Sequence, residues 1–279
     1  MNMVDKGFDE INYWSEVKLD IVREYVQAYS TILSSQKAPP LYHIYIDAFA
    51  GAGVNISKST GEFVPGSPLN ALLVKPSFRE YHFIDLNSAK TDSLRALTAG
   101  QPEVFVHEGD CNTLLLQEVF PRAEYKSYRR ALCLLDPYGL HLNWDVILTA
   151  GRMKSVEIFL NFPMADMNRN VLWRNPEDVA PAQITRMNSF WGDDSWRQAA
   201  YNTTQNLFGL EWKTGNIPIA EAFQKRLKNV AGFEYVPEPM PMRNSRNAVV
   251  YYLFFASQKP VAKHIVEDIF NKYRNRGES

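Results

Sequence analysis

An apolar run that halts at an acid and two closely spaced glycines constrains this chain more than any other stretch: Ile44-Tyr45-Ile46-Asp47-Ala48-Phe49-Ala50-Gly51-Ala52-Gly53. Its β-branched and aromatic residues read as a buried strand. In a parallel α/β sheet such a strand delivers its C-terminal end to a crevice, and the glycines let the backbone come close to a ligand. The dinucleotide fingerprint needs a third glycine three positions after the second, and that position here is Ile56. The loop therefore points to an adenosine-type ligand without a pyrophosphate.

Three further runs repeat the pattern at the spacing of an alternating sheet. Glu80-Tyr81-His82-Phe83-Ile84 leads into Asp85-Leu86-Asn87, Val104-Phe105-Val106-His107-Glu108 into Gly109-Asp110-Cys111, and Ala131-Leu132-Cys133-Leu134-Leu135 into Asp136-Pro137-Tyr138-Gly139. Each acid taken singly could simply cap the next helix. The four together, with the glycine loop, would line one sheet edge as a cofactor site, and a carboxylate at the second strand end commonly accepts from ribose hydroxyls. Helices are expected after each acid, over Ser88–Leu97, Thr113–Phe120 and Trp144–Ala150, with a fifth strand at Val156–Phe162.

Ahead of the first strand, Ile11, Trp14, Val17, Leu19, Ile21, Val22, Tyr25, Val26 and Tyr29 give a helix with a broad apolar face. Trp14 and Lys18 lie one turn apart on it, either closing over a ligand or serving a packing face. Val54–Gly66 is an excursion rich in Gly, Ser and Thr, read as a mobile flap. Ser67-Pro68 then looks like an N-cap with proline at the first helical position, opening a helix through Val74. The stretch 164–215 breaks the alternation, contains no convincing strand, and interleaves Trp173, Trp191 and Trp196 with Arg169, Arg174, Arg186 and Arg197. It reads as a helical insertion, its arginines and tryptophans either contacting nucleic acid or forming a small core with solvated charges. Residues 1–163 and 216–279 would then form the α/β domain. After a helix over Ile219–Val230, strands at Gly232–Pro237 and Val249–Phe255 make a hairpin, so one strand must run against the rest.

The order Asp47-x-Phe49-x-Gly51-x-Gly53, Asp85, Asp110 and Asp136-Pro137-Tyr138 resembles class I S-adenosylmethionine-dependent methyltransferases, in particular those that methylate amino groups of nucleic-acid bases. Over most of its length the chain is also similar to the three-Cys-motif partner protein family. The carrying segments are Asp47–Gly51, Phe83–Asp85, Leu135–Gly139, Asn161-Phe162-Pro163-Met164, Pro241–Asn244 and Tyr251–Ser257. The resemblance implies a Rossmann-like, seven-stranded, mostly parallel sheet with one antiparallel strand. It implies S-adenosylmethionine held by Asp47, Phe49, Gly51, Gly53, Asp85, Leu86, Asp110 and Cys111, and a methyl-acceptor site at Asp136, Pro137 and Tyr138. It also implies a three-cysteine, radical-S-adenosylmethionine-like partner protein, for which this chain would be an accessory subunit if it does not transfer methyl groups itself. Base amino-methyltransferases carry Asp-Pro-Pro followed by an aromatic; here the aromatic comes one position earlier and Gly139 takes its place.

Composition trims the alternatives. A formal net charge of -1 means that binding of nucleic acid would need a local basic surface. Cys111 and Cys133 form no Cys-x-x-Cys pair, so neither zinc site nor disulfide framework follows, and a cytoplasmic setting is expected. Neither cysteine has the placement of a cytosine-C5 nucleophile, no Gly-x-Ser-x-Gly elbow exists, and the five histidines include no His-x-x-x-His pair. His141, just past the Asp-Pro-Tyr-Gly motif, is a base or a surface residue. The first six residues are polar and of mixed charge, unlike a signal peptide, and no apolar run approaches the ~20 residues of a membrane helix.

Overall fold

In the computed structural model, which describes residues 8–202 and 212–274, the four acid-ended strands lie side by side in one sheet. Along the chain the elements begin with β1 (Asp9–Ile11), α1 (Tyr13–Ser35) and β2 (Tyr42–Asp47). A hairpin of β3 (Val54–Ser57) and β4 (Phe63–Pro65) precedes α2 (Ser67–Leu73), β5 (Glu80–Asp85), α3 (Ser88–Leu97), β6 (Val104–Glu108) and α4 (Cys111–Leu114). β7 (Arg129–Leu135), α5 (Trp144–Met153) and β8 (Val156–Phe162) follow, then α6 (Met164–Asn170), α7 (Pro181–Trp191) and α8 (Trp196–Ala200). The two-residue strands β9 (Tyr201–Asn202) and β10 (Trp212–Lys213), α9 (Asn216–Asn229), β11 (Met240–Arg243), β12 (Val249–Ala256) and α10 (Pro260–Arg274) complete the order.

The main sheet has seven strands in the order β11-β12-β8-β7-β2-β5-β6, and only β12 runs against the others. Its strands are covered on both faces, which explains their nearly unbroken apolar sequences. Side chains alternate between two cores with the period of two that a strand imposes. Ile44 and Ile46 join Cys133, Leu135 and Leu160 on the face covered by α5, α7 and α9. Tyr45, Phe83 and Phe159 join Tyr25, Val266 and Phe270 beneath α1 and α10.

Several local expectations change. The final hairpin uses Met240–Arg243 as its first strand, not Gly232–Pro237, where only Tyr235 forms an isolated bridge to Ser257. Met240 and Met242 are buried and Pro241 half-buried, and a proline is tolerated because this strand is the sheet edge. The Val54–Gly66 excursion folds into the β3–β4 hairpin, and β1 adds to β3 in parallel, giving a separate three-stranded sheet. Gly66, not Ser67, occupies the N-cap of α2, and Asp110 caps α4. The helix expected to reach Phe120 breaks after Leu114 into a wider turn over Leu115–Val119. Within 164–215, β9 and β10 pair where no strand was expected. Residues 203–211 of that stretch, like residues 1–7, lie outside the described residues. Trp191 and Trp196 are buried in the same core as Phe162 of β8 and Phe223 of α9, whereas Trp173 is exposed. Among the described residues no helix is long and apolar enough to cross a membrane.

Candidate functional site

From β2 the chain builds outward through β5 and β6, then returns to place β7 on the other flank of β2. The connections leave the C-terminal ends of β2 and β7 in opposite directions, and that divergence opens a crevice where ligands of such sheets bind. The loop after β2 is stitched across it: Ala48 N–H donates to the Leu134 carbonyl at 3.0 Å and Ala50 N–H to the Ile84 carbonyl at 2.9 Å. Gly51 adopts a left-handed φ of 65° and turns its N–H onto Asp85 Oδ2 at 2.9 Å. Asp85 Oδ1 accepts from the Asn87 N–H at 2.8 Å, so the carboxylate is fixed from both sides while lone pairs remain for a ligand.

Two adjoining cavities flank the loop. The larger, of about 710 Å³, is lined by Phe49, Asp85, Leu86, Asp110, Cys111 and Tyr138, and by Arg186 of α7 across from them. Leu86 is 76% exposed at its rim, an apolar side chain left mostly open to solvent. Asp110 accepts from the Thr113 N–H at 3.2 Å as it caps α4. Burial pushes the Cys111 thiol up to about 12, so it is a packing residue of the wall and no nucleophile. His141 stands at the rim, its Nε2 3.4 Å from Arg186 Nη2.

The smaller cavity, about 310 Å³, is lined by Phe49, Gly51, Asp136, Pro137 and Tyr138, with Lys18, Asn161 and Tyr251. Here Lys18 Nζ forms an ion pair with Asp136 Oδ2, and Asn161 Nδ2 donates to Asp136 Oδ1 at 2.7 Å. Asn161 Oδ1 is buried without a hydrogen-bond partner. Between the cavities, Lys90 Nζ meets Asp9 Oδ2 at 2.6 Å, and Tyr138 Oη donates to the same oxygen at 3.1 Å. Burial would lower the Lys90 pKa, but Asp9, Tyr138 and Asp85 outweigh it and raise it.

Asp47 and Gly53 line neither cavity. Asp47 lies fully buried beneath the loop, where burial pushes its carboxyl up to about 7 against the opposing pull of the Phe49 N–H. Gly53 has φ 83°, and a Cβ there would come within 2.9 Å of Leu94 on α3, so this glycine serves close packing. Gly139 explains the departure after Asp-Pro-Tyr: its φ is 60°, and a Cβ would come within 2.8 Å of the Asp166 carboxylate.

Sequence reasoning assigns no site role to Asp9, Lys90, Asn161 or Tyr251, and it gives Lys18 two roles without choosing between them. A charged residue on a buried helix face and a polar residue closing an apolar strand are the signals available for Lys18 and Asn161. Trp14 serves packing, its carbonyl accepting from the Tyr251 hydroxyl at 3.1 Å. Among the described residues no group of three or more His, Cys, Asp or Glu could hold a metal ion.

No family model matches the chain, and no curated protein matches it. Among solved structures, protein LPL1258 of Legionella pneumophila shares the fold over 93% of both chains, with a TM-score of 0.52 at 12% identity. An S-adenosylmethionine-dependent methyltransferase of Leishmania major is more distant, with a TM-score of 0.39 at 9% identity, covering 87% of this chain and 72% of its own. At 12% identity the likeness to the Legionella protein speaks for the fold alone.

Proposed function

We propose that the chain is an S-adenosylmethionine-dependent methyltransferase acting on an amino group of a nucleic-acid base. The observation that carries this reading is the 710 Å³ cavity at the sheet's switch point, with Asp85 fixed at its edge and joined to a polar pocket holding Asp136 and Pro137. The residues fit the donor molecule. Asp85 offers acceptors to a ribose diol, Leu86 and Cys111 offer apolar cover to an adenine, and Gly51 leaves the backbone open beside Asp136.

Methyl transfer is an in-line displacement at a sulfonium, in which orientation and exclusion of water supply most of the effect. An exocyclic base amine is a poor nucleophile because its lone pair is delocalised into the ring. The Asp136 carboxylate and the Pro137 carbonyl are acceptors that would draw its N–H groups out of the ring plane and stabilise the developing charge. The Tyr138 ring, 61% exposed beside Phe49, offers a face on which a flipped base would stack. Lys18 would have to yield Asp136 to that base.

Incubation with labelled S-adenosylmethionine and separate DNA, RNA and protein fractions tests the reading. Label should enter nucleic acid, and Asp136→Asn should abolish transfer while donor affinity stays nearly unchanged, because the loss falls on the transition state. Transfer by Asp136→Asn at the wild-type rate would place the acceptor elsewhere. The retention of Asp136 by this chain's own Lys18 and Asn161 favours a second reading, an accessory subunit of a three-cysteine-motif protein. That reading requires co-purification of the pair and a joint activity insensitive to Asp136→Asn.

A further inference from the structure

Lys18 sits in the second turn of α1 among Leu19, Ile21 and Val22, on the buried face of the helix, with only 7% of its surface exposed. Burying an ammonium there costs free energy unless a counter-charge and hydrogen bonds compensate it. The compensation comes from Asp136, the acid closing β7, whose other oxygen is held by Asn161. The Lys18 Nζ also lies 5.6 Å from the centroid of the Tyr251 ring. An amine is thus presented, inside this chain, to the carboxylate assigned above to the methyl acceptor. It opens onto the cavity that Phe49 and Gly51 also line. A purely structural cation needs a carboxylate; it does not need to line the cavity that the glycine loop also lines.

We infer that Lys18 is itself a methyl acceptor, modified in cis when S-adenosylmethionine occupies the site. The inference rests on the donor reading given above. One proton passes from Nζ to Asp136 and on to solvent. The freed lone pair then bonds the methyl carbon as the carbon–sulfur bond breaks, and sulfur keeps that electron pair in the neutral thioether of S-adenosylhomocysteine. The product is a methylammonium of unchanged charge, able to keep its pairing with Asp136. Its added methyl would face the Tyr251 ring, and aromatic faces hold alkylated ammonium groups well.

The test uses the full chain and methyl-labelled S-adenosylmethionine with no added acceptor. Donor binding is measured in parallel by calorimetry, and S-adenosylhomocysteine serves as a non-reacting ligand. Peptide mapping should find one methyl group on Lys18, and the chain as purified from cells should already carry part of it. Lys18→Arg should remove label from that peptide. Asp136→Asn should still bind S-adenosylhomocysteine but lose Lys18 labelling by at least about tenfold, the change that one missing proton acceptor can cause. Measurable donor binding with Lys18 unmodified, or with label on other lysines only, would overturn the inference and leave the methyltransferase reading standing. Absence of any donor binding would instead overturn that reading, and this inference with it.

Discussion

Asp85 spends one carboxylate oxygen on the Gly51 N–H and the other on the Asn87 N–H, so a single residue ties the glycine loop to the end of β5. If a ribose completes its coordination, Asp85→Ala should weaken binding of S-adenosylmethionine by ~1–3 kcal/mol, the worth of a hydrogen bond to a charged group plus the loosened loop. Calorimetric titration of both proteins checks this, and equal affinities would remove Asp85 from the donor site. Gly139 makes a second demand at the same scale. Its left-handed φ and the 2.8 Å approach of Asp166 to an added Cβ mean that Gly139→Ala should lower stability by at least ~1 kcal/mol and displace Tyr138. Urea unfolding of the variant reads that loss.

At the scale of elements, helix α5 shows propensity overruled by packing. Gly151 lies in its last turns, where alanine would normally gain ~1 kcal/mol of helix propensity. A Cβ at this position would come within 2.1 Å of the Ala231 carbonyl oxygen, in the connection after α9. Backbone cannot give way as a flexible side chain can, so Gly151→Ala should destabilise by ~1–3 kcal/mol or more instead of stabilising. A denaturant midpoint at or above that of the wild type would show that α5 and the 231–233 connection slide apart freely. The β1 strand makes the converse point. Three residues hardly specify a strand by themselves, and it forms because β3 offers it a paired edge and Lys90 holds its Asp9.

Over the whole molecule, buried titratable groups set opposing pH dependences. Asp47, raised to about 7 by burial, contributes stability that is present below its ordinary value of 3.8 and is lost as pH rises through about 7. His43 and His82, both lowered by burial to about 4, contribute stability that is present above 6.5 and lost as pH falls toward 4. Burial alone would raise Glu80, but Arg122, His82, Tyr42 and Arg129 outweigh it and hold the carboxyl at about 2, so its contribution is lost only as pH falls from 4.5 toward 2. Asp47→Asn removes the first effect alone. Relative to wild type, the variant should gain up to ~4 kcal/mol between about pH 4 and pH 8, at about 1.4 kcal/mol for each pH unit that separates the folded and unfolded ionisations. Urea unfolding at about pH 4 and pH 8 measures the change, and a constant difference would mean that Asp47 is ionised throughout.

Local signals alone carry the alternating α/β order, the acid-ended strands and the crevice they line. Period, β-branched runs and punctuation by Asp, Gly and Pro survive without tertiary context, so these features are legible in the chain itself. The hairpin partner of β12 is misplaced by the same rules, because an edge strand, Met240-Pro241-Met242-Arg243, tolerates a proline that they treat as a breaker. Which polar residues meet is settled by packing over long distances. Lys18 reaches Asp136 across 118 positions of sequence, Lys90 reaches Asp9 across 81, and Asn161 reaches Asp136 across 25. A lysine on an apolar helix face carries no mark of the carboxylate it will find, because that partner is selected by how α1 packs across the sheet. Asp47 and Gly53 show the same limit from the other side. Their motif is legible, but packing turns one beneath the loop and the other against α3, away from both cavities.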